Sequence, residues 1–349
     1  MFVLLPCLVI VPIFAVAIHH DFAFDYHIFW TASRRLFHGQ SLYPDPRAVA
    51  LSTSPVAHHD YFVYPPLVAV IFAPLAVLPF SVAAALDTVV ALACLAGSLR
   101  VLSVRDWRCY GLAAGSIPVI SSIRLGAITP FLCFACAMAW RYRDRPLIAG
   151  AAVGLAVFAK LFLWPLVVWL IVTRRWRAAF TATVGTSIVT AIVWSAIEFR
   201  GLREYPALLR SLTDVEANWS FSLLALTTRL SLPEPRLAAL ALGVLLGGAL
   251  LATCYPRRRA GFDERVFVTT IGLSLLLTPI LWLHYFALLV VPIALVSPTI
   301  GIEWGMLLAF WISPFQQPSH FASWRLLIAL GLVLTVVLHA RGRARSAPA

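Results

Sequence analysis

Twelve apolar runs separated by short polar connections leave this chain few folds to choose from. They are Met1–Ile18, Val82–Leu99, Cys109–Ser121, Gly126–Trp140, Leu147–Lys160, Leu161–Val172, Ala178–Ile197, Leu237–Cys254, Val266–Trp282, Tyr285–Val296, Ile300–Ile312 and Trp324–His339. Hydrophobic residues make up 61% of the 349 and charged residues 12%, with a mean hydropathy of +0.89, which excludes a soluble globular protein. In hydrocarbon the backbone must satisfy its own hydrogen bonds, so such runs fold as helices. The expectation is an all-α polytopic membrane protein, residues 1–349 forming one integral membrane domain. Several runs are shorter than the roughly 20 residues of a perpendicular span, as expected of short or broken helices buried in a bundle.

The net charge of +12 is distributed in short arginine clusters: Arg100, Arg105 and Arg108; Arg141, Arg143 and Arg145; Arg174, Arg175 and Arg177; Arg257 to Arg259; and Arg341, Arg343 and Arg345. That distribution is a topology signal and not a nucleic-acid surface. With every cluster in the cytoplasm, the chain makes about twelve crossings and both termini are internal. Met1–Ile18 lacks a basic leader and a cleavage site, and is expected to be a retained first helix. Pro65–Leu78 is either re-entrant or one of three crossings. The six cysteines fall mostly in apolar spans, with no zinc spacing and no glycine-rich phosphate loop, so neither a metal nor a cofactor is expected.

Carboxylates are scarce, 15 in the chain, yet Asp21 and Asp25 stand together beside His19 and His20 just after the first apolar run. On this topology the polar residues without a topological duty gather on the external face: Asp21, Asp25, Tyr64, Arg124, Lys160, Asn218, Arg229, His284, Gln316 and Gln317. Lys160 is the only lysine, set in the run Val157-Phe158-Ala159-Lys160-Leu161-Phe162. Either it snorkels or it meets an anion, and intramembrane charges more often pair or line a cavity. Two external segments, about 19–64 and 198–236, are long and aromatic enough to be structured. Asp25 to His38 fits an amphipathic helix on the membrane, with Tyr26, Phe29, Trp30, Leu36 and Phe37 apolar and Arg34 and Arg35 in water.

These residues also fall in a familiar order. Asp25-x-x-x-Phe29-Trp30-x-Ala32, Gly39-x-x-Leu42-Tyr43, Phe62-x-Tyr64-Pro65-Pro66-Leu67, Pro74 and Leu78-Pro79 come first. Arg124-Leu125-Gly126, Ala149-Gly150 with Gly154 and Lys160, Pro165 and Arg174-Arg175-Trp176-Arg177 follow. Then come Asn218-x-Ser220 with Leu223-Leu224 and Arg229, and Thr278-Pro279 with Trp282-x-His284-Tyr285. From Asp21 to Pro292 the chain resembles glycosyltransferase family 87, polyprenol-phosphate-mannose-dependent α-mannosyltransferases of the GT-C superfamily. Ala127 departs from the family's frequent glutamine after the glycine.

The resemblance implies a GT-C-type bundle of about 11–12 transmembrane helices with external amphipathic helices, in the inner (plasma) membrane, its active site on the periplasmic or external face. It implies a polyprenyl-phosphate sugar donor, with mannose as the family's sugar, and a glycolipid or glycan acceptor. A lipid-linked phosphate leaves as an anion, so the protein must supply a base and positive charge. Asp25 is the candidate base by its spacing to Trp30, and Asp21 the rival carboxylate. Arg124, Lys160 and His284 are candidate phosphate partners, and Asn218, Arg229 and Tyr285 further substrate contacts. Tyr64 and Trp282 are placed to stack on sugar rings or to anchor at the interface. The competing class is a multi-span transporter or lipid flippase, which often carries inverted repeats; the two halves show no such self-similarity.

Overall fold

Every regular element among the described residues is helical, as the hydrocarbon argument requires. The computed structural model describes residues 22–43, 61–216, 220–255, 261–312 and 323–343. Met1–Ile18, Asp21, Asn218, Gln316 and Gln317 lie outside them. In chain order the helices are α1 (Phe24–Phe37), α2 (Pro66–Ala76), α3 (Phe80–Val101), α4 (Trp107–Ala114), α5 (Ile117–Leu125), α6 (Thr129–Arg141), α7 (Pro146–Ala159) and α8 (Pro165–Val172). They continue with α9 (Trp176–Ala196), α10 (Tyr205–Glu216), α11 (Leu223–Arg229), α12 (Pro235–Ala252), α13 (Phe262–Leu277), α14 (Val290–Val296), α15 (Ile302–Leu308) and α16 (Ser323–Arg343). Short 3₁₀ turns at Leu161–Leu163 and Leu283–Leu289 lead into α8 and α14, and a third, Ala309–Ile312, follows α15.

Among the described residues four helices are long and apolar enough to cross a membrane: α3, α9, α12 and α16. A fifth crossing exists if α5 and α6, bent by 116° at Gly126–Ile128, form one span. The other apolar helices are shorter, so the expected count of about twelve is not reached by length among the described residues. The expected runs Cys109–Ser121 and Gly126–Trp140 instead become three pieces. The chain breaks at Gly115-Ser116, ahead of Pro118, and again at Gly126, which takes the left-handed φ of +62°.

Small residues set the helix spacing where lipid gives no hydrophobic drive. Gly150 and Gly154 of α7 face α9: an added Cβ would lie 2.5 Å from Thr181 Cβ and 2.6 Å from Thr186 Oγ1. Gly243 and Gly247 repeat the spacing on α12 against Leu277 and Leu273 of α13. At its arginine-rich start this group is tied by ion pairs. Arg175 bonds Asp263 and Asp144, each at 2.8–2.9 Å, Arg143 pairs with Asp263 at 3.3 Å, and the Trp169 indole N–H donates to Asp263 at 2.9 Å.

α1 lies against protein. Tyr26, Ile28, Phe29, Ala32 and Ser33 are buried, while Arg34 and Phe37 are exposed. Ser33 Oγ donates to Ala69 O at 2.7 Å, Trp30 Nε1–H to Leu78 O at 3.2 Å, and Phe29 stacks on Phe72 at 4.9 Å. The buried stripe thus faces α2, and Phe37 stands outside it.

The α1 start is held by the bend after α5. Ala23 N–H donates to Arg124 O at 2.7 Å, and a Cβ on Gly126 would stand 2.6 Å from Tyr26 Cβ. Gly126→Ala therefore meets both a left-handed backbone and a rigid neighbour. It is expected to cost about 2–4 kcal/mol, read as a lowered Tm of the detergent-solubilised protein.

Candidate active site

Lys160 stands where α7 stops. Its backbone is extended (φ −145°, ψ 104°), and the 3₁₀ turn Leu161–Leu163 and Pro165 prevent the helix from resuming in line. α7 is 14 residues long, about 21 Å at 1.5 Å per residue, so Lys160 lies that far from the Arg143 end. A second irregularity faces it. After Thr278-Pro279 the chain runs as loop and then as the 3₁₀ turn Leu283–Leu289, which presents His284 and Tyr285. Non-helical backbone at membrane depth is tolerated where it lines a polar site.

The side chains meet between these breaks. Lys160 Nζ donates to Tyr285 Oη at 2.5 Å and lies 4.0 Å from the Tyr64 ring centroid and 4.6 Å from that of Tyr285. The ammonium thus sits over the face of Tyr64 and at the hydroxyl end of Tyr285, a partly desolvated cation–π arrangement with the first ring. Phe162 stacks on Tyr285 at 5.1 Å, and Phe29 of α1 meets Tyr64 edge-on at 4.8 Å. Asp25, in the first turn of α1, points Oδ2 at His284 Nε2 across 3.7 Å. Their side chains are only 15% and 7% exposed, and 3.7 Å is too long for a hydrogen bond, so neither atom is committed to the other. Burial pushes the Asp25 carboxyl up to about 6, and the nearby Lys160 charge opposes that rise.

Backbone contacts fix the surrounding loops. Tyr43 Oη donates to Tyr64 O at 3.0 Å, Tyr205 Oη to Val63 O at 3.2 Å, and Tyr43 stacks on Trp194 at 5.5 Å. Phe221 N–H donates to Leu281 O at 2.8 Å and its ring meets Phe286, which docks the Ser220 end of the Asn-x-Ser stretch on the His284 turn.

Of the residues singled out from the sequence, Asp25, Tyr64, Lys160, His284 and Tyr285 converge. Arg124 ends α5, beside the start of α1, and its charge bears on His284. Arg229 ends α11, which packs chiefly on α12, in a neighbouring group of helices. Asp21 and Asn218 lie outside the described residues. The Tyr64 ring faces the Lys160 ammonium, and Trp282 packs partly buried against the core. One further acid, Asp87, lies at the buried face of α3; its signal in the sequence is a carboxyl within an otherwise uncharged apolar run. Among the described residues no group of three or more His, Cys, Asp or Glu side chains is placed to hold a metal.

Comparison with known proteins bears on the class of the molecule. The chain is 27% identical over 329 residues to a polyprenol-phosphate-mannose-dependent alpha-(1-2)-phosphatidylinositol pentamannoside mannosyltransferase of Mycobacterium tuberculosis (strain CDC 1551 / Oshkosh), covering 84% of this chain and 74% of the relative. No solved structure matches. The profile of glycosyltransferase family 87 matches residues 62–279, more than half the chain, and includes Tyr64, Arg124 and Lys160. The chain is therefore a membrane glycosyltransferase belonging to family 87.

Proposed function

We propose that this enzyme moves a sugar, mannose by analogy with its relative, from a polyprenyl-phosphate donor to a hydroxyl of a glycolipid or glycan on the external face. The observation that carries the reading is one carboxylate and one ammonium brought together from separate breaks in the bundle. Asp25 takes the proton from the acceptor hydroxyl, as a general base must. The oxygen attacks the anomeric carbon from the side opposite the phosphate, the C–O bond to phosphate breaks, and the polyprenyl phosphate departs with the electron pair, inverting the centre. Lys160, with Arg124 nearby, supplies positive charge where the phosphate accumulates negative charge. His284 faces Asp25 and orients the hydroxyl.

The transporter reading is less well supported: membership of a glycosyltransferase family favours an enzyme, and the polar groups suit one base and one phosphate.

Asp25→Asn is expected to insert and bind donor but to lose transfer by at least about a hundredfold, whereas Asp21→Asn loses much less. The base works as the carboxylate, so kcat/KM with a polyprenyl-phosphate sugar falls about tenfold for each pH unit below about 6. A dead Asp21→Asn beside an active Asp25→Asn reverses the assignment.

Lys160→Met fills a similar volume without the charge. It should weaken use of the donor by about ten- to a hundredfold, the scale of a charge-assisted hydrogen bond. Unchanged kinetics make Lys160 a snorkelling residue.

Orientation is read separately. In intact cells Gln40→Cys and Val215→Cys should react with an impermeant thiol reagent, and Arg145→Cys, at the far end of α7, should not. The opposite pattern places Asp25 in the cytoplasm.

A further inference from the structure

Behind the proposed base lies a second acid that the transfer chemistry does not use. Asp87 is the only carboxyl in α3, is 1% exposed, and has no hydrogen-bond partner on either oxygen. Ala83, Ala84, Asp87 and Ala91 recur at helical spacing on the buried face of α3. Phe80 stands two turns before the acid on the same side of the helix, and Tyr26 packs on it. Its ring stacks on Phe80 with centroids 6.1 Å apart and takes the edge of Phe72 at 5.8 Å. Tyr26 is 0% exposed, and its hydroxyl also lacks a partner. Burial raises the Tyr26 phenol above its ordinary range, and the Asp87 charge adds to that rise. Tyr26 directly follows Asp25 on α1.

Buried polar atoms are almost always paired, with protein or with an internal water. A carboxylate isolated among apolar groups is far costlier than the neutral acid, which both donates and accepts. We propose that Asp87, as the neutral acid, and Tyr26 share one internal water and so form a buried anchor between α3 and α1 that positions Asp25. Asp87 is then a positioning residue, acting through Tyr26 and the rigid first turn of α1. The anchor works beside the Gly126 contact on the same tyrosine: Gly126 fixes how closely α1 approaches, while the hydroxyl fixes its rotation. The positioning role rests on Asp25 being the base; the water-linked pair does not.

The test uses the full chain in nanodiscs with a polyprenyl-phosphate sugar. Asp87→Asn puts an amide in place of the acid, keeps a donor and an acceptor, and should stay within about threefold of the parent kcat. Asp87→Leu and Tyr26→Phe should each lower kcat by about ten- to a hundredfold with donor KM unchanged, the scale of a displaced catalytic group. The double variant Asp87→Leu/Tyr26→Phe should be no slower than the slower single, since both remove one anchor. A slow Asp87→Asn, an unchanged Asp87→Leu or an additive double variant overturns the proposal. Infrared difference spectra give a readout independent of turnover and of Asp87→Leu folding. The parent protein at neutral pH should show a protonated-carboxyl C=O band that Asp87→Asn lacks; no such band overturns the anchor. If the parent moves no sugar from any donor, the proposed function fails while the infrared band still decides the pair.

Discussion

One ammonium in an apolar setting dictates much of this architecture. Lys160 must be compensated where water is scarce, and the compensation comes from parts of the chain far apart in sequence: Tyr64 before α2, Tyr285 on a 3₁₀ turn, and Asp25 at the start of α1. Each of these groups stands at a helix end or break. A continuous helix would turn its polar ends toward the aqueous interfaces; a broken one delivers them into the bundle. The short apolar helices are thus tied to the site, because shortening is what exposes the residues that meet.

The second constraint is how closely α1 approaches. Asp25 is useful as a base only if its helix is held, and holding falls to the α5–α6 bend. Gly126 allows the left-handed turn and the contact with Tyr26, and Ala23 bonds the Arg124 carbonyl. Arg124-Leu125-Gly126 therefore has two physical duties in three residues: a cation near the site and a backbone that seats the helix of the proposed base. Ala127, the departure from the family pattern, is buried.

The ends of the molecule divide the labour. About 21 Å of α7 separates the Lys160 site from the network of Arg143, Arg175, Asp144, Asp263 and Trp169. Between them the glycine faces of α7 and α12 hold neighbouring helices at close range, giving the site a firm frame.

The sequence by itself determined the class of solvent, the helical secondary structure and the pairing of motifs with a family, because hydropathy and arginine placement act residue by residue. It also singled out Asp25, Lys160 and His284, since charges and imidazoles in apolar runs are costly wherever they fold. The helix count, however, followed breaks that run length cannot show: Gly126 looks ordinary until its φ and its neighbour Tyr26 are known. Tertiary structure alone decided that the Tyr64 ring faces the ammonium, that the buried side of α1 faces α2, and that Tyr26 packs on Phe80. Those are contacts between segments up to 125 residues apart, as from Lys160 to Tyr285, and a side chain's partner across such a distance is fixed by packing and not by its own neighbours in the chain.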